Sequence, residues 1–133
     1  MSTATDITVK KYDGTTDILW SLVSASGGDK SPAMWRSMTA SGTVGQKPVL
    51  TMTARPNSDG TVRRVDVGCK FPAVYTNSTT GQTEVRAVAT FTGSFAVPQN
   101  MTAVDIQEFS YQLCNLLNVT LMKNTVVAGF APT

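Results

Sequence analysis

The residues of this 133-residue chain that could do chemistry are cations and hydroxyls, and they recur at a spacing of two. Thr51, Thr53 and Arg55 alternate with Leu50, Met52 and Ala54. Arg64, Asp66, Gly68 and Lys70 alternate with Val65, Val67, Cys69 and Phe71. Successive side chains of a strand point to opposite faces, so each run has an apolar side and a side carrying threonine, arginine and lysine. Arginine and lysine neutralise phosphate. The chemistry this pattern offers is contact with nucleic acid and not the making of bonds, the alternative being an ordinary solvated strand face.

The remaining composition argues against an enzyme. The chain has no histidine, which removes His-based triads, His general bases and His metal ligands. Its nine acidic residues are scattered, with no carboxylate pair at catalytic spacing. No phosphate-cradling loop or nucleophile elbow is present, and Gly27-Gly28 has no Walker lysine beside it. We assign no catalytic residue, metal, cofactor or small-molecule substrate. Cys69 and Cys114 stand in no metal or redox spacing and are predicted to be small buried hydrophobes.

Charge is unevenly placed. Residues 47–86 hold six cations (Lys47, Arg55, Arg63, Arg64, Lys70, Arg86) and three anions (Asp59, Asp66, Glu84), a net +3. The remainder holds five cations and six anions. A basic centre of this kind attracts phosphate. Charged residues make up only 15% of the chain, as they would if much of the surface were covered by copies of itself. Residues 1–11 lack the apolar run of a secretion signal, and no stretch approaches membrane-spanning length. The N-x-S/T matches at Asn77, Asn100 and Asn118 therefore carry no prediction of glycosylation, and a cytosolic setting is expected.

The elements that must position these residues follow from periodicity. Residues 7–12 and 18–23 read as a hairpin about Asp13-Gly14. Residues 24–32 are a loop, and 33–40 a short strand. Strands over 49–55 and 61–71 flank a turn at 56–60. Pro72 is expected to end the second of these, and 73–83 to form a polar loop. Residues 84–97 read as one long or two shorter strands, with Arg86, Val88, Thr90, Thr92 and Ser94 on one face. Thr102 and Asp105 have capping-box form, with the carboxylate reaching back to free N–H groups. Ile106, Phe109, Leu113, Leu116 and Leu117 then recur at helical spacing. Asn118 is expected to cap a second helix over 119–128 that Gly129 closes. Strands followed by helices predict one α+β domain spanning residues 1–133, with helices on one sheet face.

This order resembles the coat proteins of single-stranded RNA bacteriophages, the leviviruses. Ala33-Met34-Trp35, the Thr51-x-Thr53-x-Arg55 strand, Arg63-Arg64 after a polar turn, Lys70-Phe71-Pro72, Arg86 and Leu116-Leu117 carry the resemblance across nearly the whole chain. The resemblance implies an N-terminal β-hairpin, a five-stranded antiparallel sheet and two C-terminal helices packing across a dimer partner. Ile106, Phe109, Leu113 and Leu117 would then be dimer contacts. Dimers would build an icosahedral virion shell in the host bacterial cytoplasm, with the 73–83 loop at the symmetry axes. The sheet face opposite the helices would bind single-stranded RNA, a packaging signal or translational operator hairpin, through Thr51, Thr53, Arg55, Arg64, Lys70, Arg86 and Thr90. Several positions depart from the family pattern. Val88 stands where a stacking aromatic falls, Thr90 where Asn or Asp falls, and a lysine or threonine position falls on Gly68 or Asp66, the latter repelling phosphate. General RNA contact is therefore favoured over reading of one hairpin. The alternative is a small dimeric nucleic-acid-binding module that builds no shell.

Overall fold

The computed structural model describes residues 2–133. Its contacts divide into two compact units, the first ending at Ala96 and the second running Val97–Thr133.

The first unit is a six-stranded sheet whose strands neighbour one another in chain order. The strands are β1 (Ile7–Lys10), β2 (Asp17–Ser24), β3 (Ala33–Arg36), β4 (Val49–Pro56), β5 (Val62–Thr76) and β6 (Thr83–Pro98), the last running two residues past the unit boundary. Asp13 builds the first turn, its Oδ1 accepting from the N–H groups of Thr15 and Thr16 at 2.9 Å each. The expected α+β order is present with one difference in the strand count. The N-terminal hairpin is not separate, because β2 is long enough to serve both neighbours. Asp17 to Trp20 pair with β1, and Ser21 to Ser24 pair with β3.

β3 is shorter than the sequence predicts. It ends at Arg36, although the Ser37 N–H still reaches the Pro48 carbonyl at 3.1 Å. The chain then turns, Ala40 donating to the Ser37 carbonyl at 3.3 Å. A 3-10 turn at Val44–Gln46 follows, with the Gln46 Oε1 accepting from the Thr43 N–H at 3.0 Å.

The alternation read from the sequence survives in the β4–β5 register. Leu50, Met52 and Ala54 lie opposite Cys69, Val67 and Val65, while Thr51, Thr53 and Arg55 lie opposite Gly68, Asp66 and Arg64. Directly opposed residues share a face. The turn between them closes with Asn57 donating to Val62 at 2.9 Å and Gly60 in the left-handed region at φ +70.

Pro72 does not end β5, which runs on to Thr76. The pairing with β4 finishes at Val49 opposite Lys70, so the missing proline N–H removes no bond from that ladder. The polar loop expected over 73–83 accordingly shrinks to a turn over 77–82. Asn77 anchors it, donating its N–H to Gln82 at 2.8 Å and accepting from the Gly81 N–H at 2.7 Å.

Buried residues in this unit cluster where β3 meets β4: Ala33, Trp35, Ser37 and Pro48. The Trp35 indole, 6% exposed, donates to the Thr5 carbonyl at 2.8 Å and ties the N-terminal segment to this cluster. Burial of Cys69 pushes its thiol pKa up.

The second unit holds α1 (Ala103–Leu117) and α2 (Thr120–Ala128), neither with a buried residue. Two details differ from the sequence reading. The Thr102 hydroxyl accepts from the Asp105 N–H at 3.2 Å and donates to the Asp105 carboxylate at 2.8 Å. The carboxylate thus takes the hydroxyl proton and not a backbone N–H. Asn118 ends α1, its N–H reaching the Cys114 and Asn115 carbonyls, and Val119 occupies the N-cap of α2. Gly129 closes α2 at φ +75, as its type requires. Cys114, expected to be buried, is exposed, because it sits on this coreless helix. Among the described residues no helix is long and apolar enough to cross a membrane, and no cluster of three or more metal-ligating side chains forms.

Candidate nucleic-acid interface

One face of the β3–β4–β5 segment gathers five of the seven sequence-predicted RNA contacts. Thr51, Thr53, Arg55, Arg64 and Lys70 all fall on it by register. The face is not purely polar, since Val49 sits opposite Lys70 and Met34 opposite Thr51. Lys70 and Arg55 are exposed, whereas Thr51, Thr53 and Arg64 are half-buried.

Asp66 occupies the middle of this face. Its Oδ2 accepts from Arg55 Nε at 2.7 Å. Hydrogen bonds from Arg55 and then from Ser94 hold its carboxyl below the usual carboxylate range. The Ser94 contact also aligns β6, since alternation carries the same face from Ser94 to Thr92 and Thr90. Thr90 therefore joins the site by face, displaced about 13 Å along the strand.

Arg86 stands apart. Its guanidinium lies over the Tyr75 ring, 4.8 Å from the centroid. The Tyr75 hydroxyl donates to Glu84 at 2.8 Å, which pushes the Tyr75 pKa up, and the Asn77 amide donates to the same carboxylate at 3.3 Å. This group stiffens the base of the 77–82 turn. The sequence reading missed Tyr75 because it assigned 73–83 to loop; the signal was the adjacent strand-favouring pair Val74-Tyr75 beyond Pro72.

Gly68 has a steric role. The Thr51 Oγ1 donates to the Gly68 carbonyl at 3.3 Å, and a Cβ at position 68 would approach that same oxygen to 3.0 Å. Glycine leaves room for the Thr51 hydroxyl, whose lone pairs stay available on the face. At the hairpin end, Arg63 forms a forked ion pair with Asp29 of the β2–β3 loop, and this raises the arginine pKa and lowers that of the carboxyl. The arrangement can hold phosphates and donate or accept hydrogen bonds.

The proposed dimer contacts all lie on α1. Ile106 and Leu113 are half-buried, and Phe109 and Leu117 are 40% and 42% exposed. Leu116, Leu121, Val126 and Val127 add 58% to 88% exposed apolar side chains on the same unit.

No family model and no curated protein matches the chain. Among solved structures, the virus-like particle of Beihai levi-like virus 21 matches at TM-score 0.81 and 20% identity, covering 99% of this chain and 98% of that one. The virus-like particle of bacteriophage NT-214 matches at TM-score 0.81 and 14% identity, over 99% and 100%. The capsid protein of bacteriophage GA matches at TM-score 0.74 and 16% identity, over 96% and 95%. The fold is that of the levivirus coat proteins.

Proposed function

We propose that this chain is a coat protein, with residues 1–133 acting as one coat-protein domain that dimerises, closes into an icosahedral shell and contacts single-stranded RNA through the β4–β5 polar face. The observation that carries the reading is a fold like those of virus-like particles, combined with a helical unit that has no buried residue of its own. Helices that leave Leu116, Leu121 and Val127 in water gain stability only against another surface. β6, last in the sheet order, offers an edge that would pair with its copy in a dimer. Ile106, Phe109, Leu113 and Leu117 would meet the partner. Thr51, Thr53, Arg64 and Lys70 would line the RNA, with Thr90 at the margin and Arg55 and Arg86 engaged with Asp66 and Tyr75. A role in the virion, and not in catalysis, follows from this reading.

Expression of the full-length chain and negative-stain electron microscopy test it. The expected result is closed shells holding nuclease-protected RNA. Recovery only of monomers or small dimers free of nucleic acid, under gentle conditions, would overturn it.

A further inference from the structure

The cations of the polar face differ in what surrounds them. Arg55 is paired with Asp66, and Arg63 with Asp29. At the opposite end of β4 the situation reverses. Arg36 lies opposite Val49, and Val49 lies opposite Lys70, so Arg36 shares the face with Lys70. The two flank Val49 from either side, about 10 Å apart at two strand spacings. Lys47 stands two residues before Val49, where the Ser37–Pro48 hydrogen bond extends the ladder. Among the described residues no carboxylate forms an ion pair with Arg36, Lys47 or Lys70.

Two of these heads are nevertheless fixed. Arg36 Nη1 donates to the Val44 carbonyl, and Lys47 Nζ to the Met38 carbonyl. A neutral carbonyl orients a cation without cancelling its charge, and a guanidinium has four further N–H groups to offer. Lys70 is exposed. Three cations without a carboxylate partner thus stand at one end of the face, while at the other end Asp66 offsets Arg55 and leaves Arg64, among the described residues, as the one cation there without an ion pair.

We infer that Arg36, Lys47 and Lys70 form the phosphate-contacting end of the RNA face, and that Arg55 contributes no phosphate contact. The inference rests on the reading that this face meets RNA. Neither Arg36 nor Lys47 stood among the sequence-predicted contacts. Each cation that neutralises a phosphate releases counterions, and the slope of log affinity against log salt falls by about 0.7 for every single-strand contact removed.

The test measures binding of RNA-free, full-length protein to a fluorescent single-stranded RNA of mixed sequence across a salt series. Arg36→Gln, Lys47→Gln and Lys70→Gln are each expected to reduce the slope by about 0.7, and Arg55→Gln to leave it unchanged. Arg36→Lys, which keeps the charge, is expected to retain the wild-type slope. Should Arg36→Gln fail to fold, the exposed Lys70→Gln decides. A wild-type slope in Lys70→Gln, with a reduced one in Arg55→Gln, would overturn the inference while leaving RNA binding intact. Wild-type protein with no salt-dependent binding would overturn the RNA reading itself.

Discussion

Arg55 and Asp66 meet across a diagonal of the β4–β5 ladder: the register sets Arg55 opposite Arg64 and Asp66 opposite Thr53, yet Arg55 Nε lies 2.7 Å from Asp66 Oδ2. Like charges directly opposed on a sheet repel, and the carboxylate between them relieves that repulsion. The same carboxylate repels phosphate. Asp66→Asn is therefore expected to free Arg55, tighten binding of single-stranded RNA several-fold at low salt and steepen the salt slope by about 0.7. Filter binding at graded salt measures both, and weaker binding would contradict this account of the face.

Trp35 is the anchor of the small buried cluster, 6% exposed and bonded to Thr5. Trp35→Phe keeps a ring but forfeits the 2.8 Å hydrogen bond, and is expected to cost about 1 kcal/mol. Trp35→Ala also leaves a cavity and is expected to cost about 3–5 kcal/mol. Urea unfolding followed by circular dichroism distinguishes the two; equal losses would show that the ring contributes little.

Acid stability depends on three carboxylates. The Asp13 carboxyl, bonded by the Thr16 hydroxyl and then by the Thr16 and Thr15 N–H groups, is lowered from 3.8 to about 2. Asp29 and Asp66 are lowered by hydrogen bonds from Arg63 and Arg55. A carboxylate depressed in the folded state contributes stability above its unfolded pKa, and loses it as pH falls through the folded one. Stability is expected to be level from neutrality to about pH 5 and to decline below about pH 4. Tyr75, raised above 10.0 by Glu84, has the opposite sign: its contribution is full below 10.0 and is lost as pH rises through its folded value. Melting temperatures across pH, with Asp13→Asn expected to flatten the acid limb, check the assignment.

What the sequence made legible was whatever depends on period. Leu50, Met52 and Ala54 face Cys69, Val67 and Val65 because a one-residue slip would expose every apolar side chain. The same logic placed Thr51 and Lys70 on one face. What stayed hidden depends on length and on rotamers. Nothing local says that β5 outlasts its β4 partner, so Pro72 looked like a stop and Tyr75 like loop. The Arg55–Asp66 diagonal needs both the register and the reach of the side chains. Arg36 joins the face only once β3 is seen to pair with Val49.

The α1 cap is a local feature with a measurable contribution. Thr102 bonds Asp105 through both backbone and carboxylate, and Asp105 favours the positive end of the helix. Thr102→Ala is expected to destabilise the chain by about 1 kcal/mol, read as a lower melting temperature. Thr102→Ser, which keeps the hydroxyl, is expected to retain most of the stability.

The proposed dimer makes the sharpest demand on α1. Leu113 and Leu117 are one turn apart on this helix, which has no buried residue, so a charge placed there meets water in an isolated chain and apolar surface in a dimer. Leu117 is already 42% exposed, and a glutamate in its place costs little in a lone helix. Against a partner surface the same glutamate is an unpaired buried charge. Leu117→Glu is therefore expected to abolish shells and to leave monomer or aggregate, whereas Leu117→Met should assemble normally. Sedimentation velocity and negative-stain images read the outcome. Intact dimers of Leu117→Glu would remove this residue from the interface and shift the search to the exposed Leu121 and Val127 of α2.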